Sequence, residues 1–411
     1  MANVSSSNGL EKYPKLRFPE FDEPYRAVKL GQISSLIKRN DPRSNAPIMM
    51  LSAGNGFIMQ SDKYSRDNAG QSLKKYTLLK KGELAYNHGA SKAKQFGCCY
   101  ELLEEEARIP YVYHCFKVQD TEYTPYVALE LNNTKMDKQL KRLVSSSVRM
   151  DGLLNISYDE YMSVVIYLPA YAEQKHIADF LEKLDMRIAK QEQLIEALKK
   201  YKRGLLRNVF DKSIKTANYQ KIYWTEAKLG EICTYRRGSF PQPYGLSVWY
   251  DEKNGMPFIQ VADVNDNMTI NSDTNRHISD IAKSRSVFIP KGTLIVTLQG
   301  TIGRVAITSY DAYIDRTLLI IQNISDCVLK EFLMYAIYMK FDIEKQTADG
   351  SIIKTITKET FTEFTIHIPP IYEQQKIVNL LRSLDQRMGN SKEVLEKLGK
   401  MRSSLLQQLF I

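Results

Sequence analysis

The chain has 411 residues, 43% of them hydrophobic and 25% charged, and a formal net charge of +10. That length accommodates two or three domains with proper cores, and the composition is that of a globular protein rather than a disordered or fibrous one. No apolar run reaches the roughly 18 residues of a membrane span, and the excess of Lys and Arg suits a polyanionic partner, or serves solubility alone.

In chain order, residues 1–24 read as a polar tail passing into an extended segment. The opening MANVSSSNGLEKYPKLRFPEF lacks the apolar core of a secretion signal. Residues 25–168 predict a first globular domain, with the β-branched and aromatic run YVYHCFKV (Tyr111–Val118) as a strand. Residues 169–212 predict a long helix. Residues 213–368 predict a second domain, with strands at GTLIVTL (Gly292–Leu298), RVAIT (Arg304–Thr308) and TLLIIQ (Thr317–Gln322), and a short helix at KEFLMYAIYMKF (Lys330–Phe341). Residues 369–411 predict a second long helix. Cys98, Cys99, Cys115, Cys233 and Cys327 form no CxxC pair and are odd in number, which fits reduced thiols in a cytoplasm.

The chain repeats itself. A shift of 200 positions aligns Leu168–Phe210 with Ile368–Phe410 without a gap, keeping Pro169/Pro369, Glu173/Glu373, Gln174/Gln374, Asp185/Asp385, Arg187/Arg387 and Phe210/Phe410. Upstream, AVKLGQI (Ala27–Ile33) matches EAKLGEI (Glu226–Ile232), and NISYDEYMSVVIYLP (Asn155–Pro169) matches TITKETFTEFTIHIP (Thr355–Pro369). Each copy is thus a diverged globular part of about 150 residues followed by a preserved segment.

The preserved segments carry coiled-coil seams. Ile177, Leu181, Leu184, Ile188, Ile195 and Leu198 recur at alternating spacings of four and three, as do Ile377, Leu381, Leu384, Met388, Leu395 and Leu398. Polar residues interrupt both seams at the same steps, Gln191 and Lys202 in one copy and Ser391 and Arg402 in the other. Helices of about 35 residues span ~50 Å. Two matched seams in one chain meet at high effective concentration, so the expected class is α+β: two α+β domains joined by two long helices in an antiparallel coiled coil, with a pseudo-twofold repeat. Packing of each helix on its own domain, or homodimerisation, are the alternatives.

The loops hold groups that read base edges and phosphates. In the first domain these are Lys63 and Arg66 in KYSRDN, and Asn87, His88, Lys92 and Lys94 in YNHGASKAK. In the second they are Arg236 and Arg237 in YRRGSF, Gln299 and Arg304 in QGTIGR, and Lys354 in TADGSIIK. Singly, each loop reads first as an ordinary solvated turn, and only their presence in both copies of a basic, duplicated chain lifts them; Arg304, which opens a strand, reads as structural.

Catalytic motifs are lacking. There is no glycine-rich S-adenosylmethionine loop paired with an Asn/Asp-Pro-Pro-aromatic motif, and no GxxxxGK[ST]. The one Pro-Pro, Pro369-Pro370, stands at a helix entry. Glu226-Ala227-Lys228 looks like part of a nuclease motif but has no Pro-Asp before it, and Ala27 replaces the Glu in the first copy. His114 and Cys115 adjoin within one strand pattern and lack zinc-ligand spacing.

The layout resembles the specificity subunit of Type I restriction–modification systems. The resemblance is carried by PKLRFPEF and VKLGQI near the start, LPAYAEQKHIADFLEKLD and IPPIYEQQKIVNLLRSLD at the helix entries, LLRNVF and LLQQLF at the exits, LLKKGELAYNHG in the first domain, and RRGSFP and PKGTLIVTLQGTIGRVAI in the second. EEEARIPYVYHCF departs from the family's usual small turn. The resemblance implies a non-catalytic, cytoplasmic subunit whose two target-recognition domains each read one half of a split DNA site, with the helices as spacer. It further implies two methyltransferase subunits, together with restriction subunits. S-adenosylmethionine, ATP and Mg²⁺ would lie on those partners, and none would be bound by this chain. The methylated adenine would be flipped into the partner's pocket. The competing readings are a coiled-coil adaptor with two binding domains, which would show no salt-dependent duplex binding, and a stand-alone nuclease, which would cut DNA with Mg²⁺ on its own.

Overall fold

A computed structural model describes residues 2–3, 13–63, 70–92, 94–144, 154–210, 224–347 and 357–411. The chain divides into two compact units. The first is Met1–Glu192 with Glu393–Ile411; the second is Gln193–Lys392. Both mix strands and helices, so the α+β class is observed. Each unit also holds parts of both long helices, Tyr171–Phe210 and Ile371–Leu409.

In the first unit, Arg26–Lys29 pairs antiparallel with Val165–Leu168. A four-stranded sheet follows in the order Ser34–Leu36, His114–Val118, Leu84–Asn87, Cys98–Glu101. Leu84, Ala85 and Tyr86 are all buried because their strand is central and covered on both faces. The strand expected from Tyr111 starts only at His114, since the Tyr113 amide closes a turn on the Pro110 carbonyl at 3.1 Å. Gly97 sits at φ +83°, and a Cβ there would lie 2.4 Å from the Asn87 carbonyl oxygen, so this hairpin needs glycine. Helices Thr124–Leu131 and Thr134–Leu143 cover the sheet. Asn133 caps the latter by accepting from the amides of Lys135 and Met136.

The core of this unit gathers Leu30, Phe116, Tyr126, Tyr161 and Ile166 with Ile177 and Leu181 of the first long helix and Leu409 and Phe410 from the end of the second. Phe410 is fully buried and stacks on Tyr126 at 5.2 Å. Such burial contributes about 1.5–3 kcal/mol. The extended segment expected at the end of residues 1–24 includes the short strand Leu16–Arg17. From Leu16 the chain docks on the first long helix, because Glu173, buried in the helix's first turn, requires a cation. Arg17 supplies it, with Nε at 2.8 Å and Nη2 at 2.6 Å from the two carboxylate oxygens. Phe18 packs beside it on His176 and Phe180.

The second unit repeats the plan. Thr225–Lys228 pairs antiparallel with Thr365–Ile368, and a four-stranded sheet runs Thr234–Arg237, Leu318–Gln322, Leu294–Thr297, Val305–Ile307. The helix expected at Lys330–Phe341 extends to Thr347. A second sheet is ordered His277–Ile278, Met256–Ile259, Ala312–Ile314, Val287–Ile289, with Phe258 opposite Tyr313 in its parallel pair, where the first unit pairs Thr77–Lys80 with Glu106–Ile109. Leu206 from the end of the first long helix enters its core beside Leu229, Val296, Phe332 and Phe361, with Phe210 packed against it.

Candidate nucleic-acid interface

The preserved Glu-Gln of the helix entries has a structural cause. Gln174 is fully buried. Its Oε1 accepts from the Tyr123 amide at 2.9 Å, and its Nε2 donates to the Pro169 carbonyl at 2.9 Å and to Glu122 at 2.7 Å. Gln374, also fully buried, accepts from the Leu329 amide and donates to the carbonyls of Pro369 and Cys327, each at 2.8 Å. In each unit one amide therefore fixes the long helix to the loop that precedes the domain's own helix.

The seams behave alike. Ile177, Leu181, Leu184, Ile195, Leu198, Leu381, Leu384, Met388 and Leu398 are buried, while Ile188, Ile377 and Leu395 are half-buried. The polar steps hold charges in register. In the first unit Arg402 forks onto both oxygens of Asp185. In the second Lys202, 6% exposed, meets Asp385, which also accepts from the Tyr335 hydroxyl at 2.9 Å. Within the first unit Glu173 lies near Leu409 and Asp185 near Arg402, so the helix segments there run antiparallel. Within the second, Leu198 packs with Leu384 and Met388 while Lys202 reaches Asp385, and the same holds.

In the second unit the sheet brings several expected DNA contacts to one end. Arg237 lies opposite Leu319 and Thr297 opposite Leu318, so the strands carrying Arg237 and leading to Gln299 finish together. Arg236 and Arg237 are exposed and Gln299 half-exposed. As neighbours on a strand, the two arginines face opposite sides. Arg304 starts the next strand at the same end, but its Nη1 donates to the Val264 carbonyl at 2.7 Å, which gives it a structural task. Lys354 lies outside the described residues.

In the first unit, Lys63 ends the exposed short helix Gln60–Lys63, and Arg66 lies outside the described residues. Asn87 turns its side chain to accept from the Gly89 amide at 2.9 Å. His88 is 7% exposed, 5.0 Å from the His114 ring, so it belongs to the interior rather than to a reading loop. Lys94 donates to the Asn132 carbonyl at 2.5 Å and half-closes the turn on which Lys92 stands exposed.

Sequence reasoning missed an aromatic and cationic edge of the second unit. The Arg276 guanidinium stacks 3.7 Å over the Tyr250 ring, Arg285 lies 5.7 Å over Trp249, and Arg316 lies 5.9 Å over Tyr244. The dense aromatics of FPQPYGLSVWY were the available signal. The Tyr244 hydroxyl is pushed up to about 12, first by burial and then by the negative charge of Asp315. Among the described residues, no group of three or more His, Cys, Asp or Glu could hold a metal ion.

Two α+β units, each locked to a long helix by the same glutamine, define a duplicated scaffold. Its fold is that of the Type I restriction–modification specificity subunits, and residues 221–400 match the family described as Type I restriction modification DNA specificity domain. Across 97% of its length the chain is 22% identical to a Methanocaldococcus jannaschii protein assigned as the type I restriction enzyme MjaX specificity subunit, covering 96% of it. It is 23% identical to the type I restriction enzyme EcoBI specificity subunit of Escherichia coli over 62% of this chain and 60% of that one. The structure of the Type I system S subunit from M. genitalium superposes with a TM-score of 0.57 at 16% identity, over 97% of this chain and 99% of that one.

Proposed function

We infer that this chain is the DNA sequence-recognition subunit of a Type I restriction–modification system. The observation that carries it is the pairing of one preserved frame with two unlike rims. The helix entries, clamps and seams repeat, whereas the loops at the sheet ends differ, as expected of two readers of different half-sites. The net charge of +10 supports a phosphate-lined partner. The test is duplex binding by the full chain at several salt concentrations. Log affinity should fall linearly with log salt, by about 0.9 per phosphate neutralised, and salt-independent binding would return the adaptor reading to the front.

The chemistry belongs, on this reading, to partners: methyltransferase subunits holding S-adenosylmethionine, and restriction subunits using ATP and Mg²⁺. A repeated outward stripe supports two methyltransferase contacts. Leu194 and Tyr201 are 36% and 59% exposed, seven residues apart, and Val394 and Met401 at the same steps are 39% and 53% exposed. The purified chain should transfer no methyl group from labelled S-adenosylmethionine to DNA, and transfer should appear on adding methyltransferase, saturating near two per chain. No helix among the described residues is long and apolar enough to cross a membrane, and a cytoplasmic site of action, beside the DNA, follows from the same reading.

A further inference from the structure

Two buried aspartates of the second unit differ in a way that the fold does not require. Asp263, fully buried, is saturated: one oxygen accepts the Gln260 amide at 2.8 Å, the other the Asn275 amide at 2.9 Å and side chain at 2.8 Å. Asp315 is 3% exposed. Its Oδ1 accepts from the amide and the hydroxyl of Thr317, at 2.9 and 2.6 Å; its Oδ2 is equally buried and has no donor in good hydrogen-bond geometry, the Tyr244 hydroxyl being the group that approaches this carboxylate. A buried carboxylate oxygen without a donor is rare and destabilising.

Its surroundings are those of a binding cleft. Asp315 opens the turn into the strand Leu318–Gln322, at the sheet end where Arg237 and Gln299 emerge. Gly238 presses on this turn; a Cβ there would lie 2.4 Å from the carbonyl oxygens of Ile314 and Asp315. Above it stands Tyr244, 44% exposed, its hydroxyl accepting from Gln260 Nε2 and its ring carrying Arg316. The corresponding turn of the first unit follows the strand Glu106–Ile109 and opens with Pro110, then Tyr111, which is 53% exposed with Lys75 5.9 Å over its ring. One place in the fold thus carries an acid under a tyrosine in one unit and a proline beside an exposed tyrosine in the other.

We propose that Asp315, Tyr244 and Gln260 form a base-reading cleft of the second unit, in which Asp315 Oδ2 accepts an exocyclic amino group, adenine N6 or cytosine N4, at one position of the half-site. An acceptor-only oxygen selects an amino donor in the major groove, and keto oxygens are rejected there. Tyr244, on the surface and followed by Gly245 at φ +97°, is the side chain that turns aside to admit the base edge. The inference rests on the chain being a DNA reader.

The test is enrichment from duplexes with a randomised window by the full chain, alone and with its methyltransferase partner, followed by sequencing. The wild type should enrich a two-part motif. Asp315→Asn should lose discrimination, roughly 10-fold or more, at a single position of one part where the wild type demands A or C, and the lost base says which amino group is read. Tyr244→Phe leaves the Thr317 contacts intact, releases the Gln260 side chain that the hydroxyl holds at the cleft, and should relax the same position, so it carries the test if Asp315→Asn fails to fold. A wild-type motif retained by the folded variants, or changes spread over both parts, overturns the cleft alone. No motif from the wild type overturns the DNA-reading function, and the cleft with it.

Discussion

The glutamine at each helix entry makes a prediction that its structure quantifies. In Gln374→Leu the side chain keeps its approximate volume and loses three hydrogen bonds, to Leu329 N, Cys327 O and Pro369 O. Cys327 is exposed, so water can recover its carbonyl. The Leu329 amide and the Pro369 carbonyl stay shielded, at about 1–3 kcal/mol for each group left without a partner. A loss of about 2–6 kcal/mol follows. Gln374→Glu asks more, because a carboxylate cannot donate to either carbonyl. Its folded pKa is expected to rise, so its stability should be recovered below the ordinary carboxylate value and be lost as pH climbs above it. Both tryptophans, Trp224 and Trp249, lie in the second unit, so urea unfolding followed by tryptophan emission reports this unit. A shift of less than about 0.5 kcal/mol, the level of an ordinary surface substitution, would refute the clamp.

Glu130 is 2% exposed and burial pushes its carboxyl up to about 8, against Tyr167 N, Lys135 and Asn133, which lower it; with the unfolded group near 4.5, the folded state binds the extra proton, and stability falls between pH 4.5 and 8, by up to ~1.4 kcal/mol per unit. Glu130→Gln should flatten that slope in urea midpoints taken across the window, and an unchanged slope would clear Glu130. Lys202→Met should cost about 1–2 kcal/mol by leaving Asp385 with the Tyr335 hydroxyl and no cation, and adding Asp385→Leu should return part of it; additive losses would mean that the pair is not coupled. Leu184→Cys with Leu398→Cys, both buried in the first unit, should crosslink within one chain on non-reducing gels, whereas crosslinks found only between chains would contradict the antiparallel segments.

Periodicity made the helices and their seams legible, since an apolar stripe over forty residues leaves few alternatives. The polar interruptions at Lys202 and Arg402 were visible, but not their use, because a charge in a seam reveals nothing of the carboxylate across from it. Glu173 and Gln174 stood out as preserved between the copies without their cause, which depends on Arg17 and on loops far away in sequence. The second sheet escaped notice because strands of two to four residues carry too little alternation. In the candidate site, residue type alone points to Arg237 and Gln299, which lie exposed and half-exposed at a sheet end, and equally to His88 and Lys94, which turn inward, a distinction set by packing. Asp315 gave no signal, since its character is one oxygen's lack of a donor.

The repeat in the sequence and the body that folds are out of phase. Phe210 closes on the core of the second unit and Phe410 on that of the first. A gene fragment encoding a single repeat would therefore make a protein with an aromatic plug to give and an unfilled socket to receive. Such a protein has a remedy in a second molecule like itself, each plugging the other. In the present chain both plugs and both sockets are carried by one molecule, so the exchange is completed without a second copy.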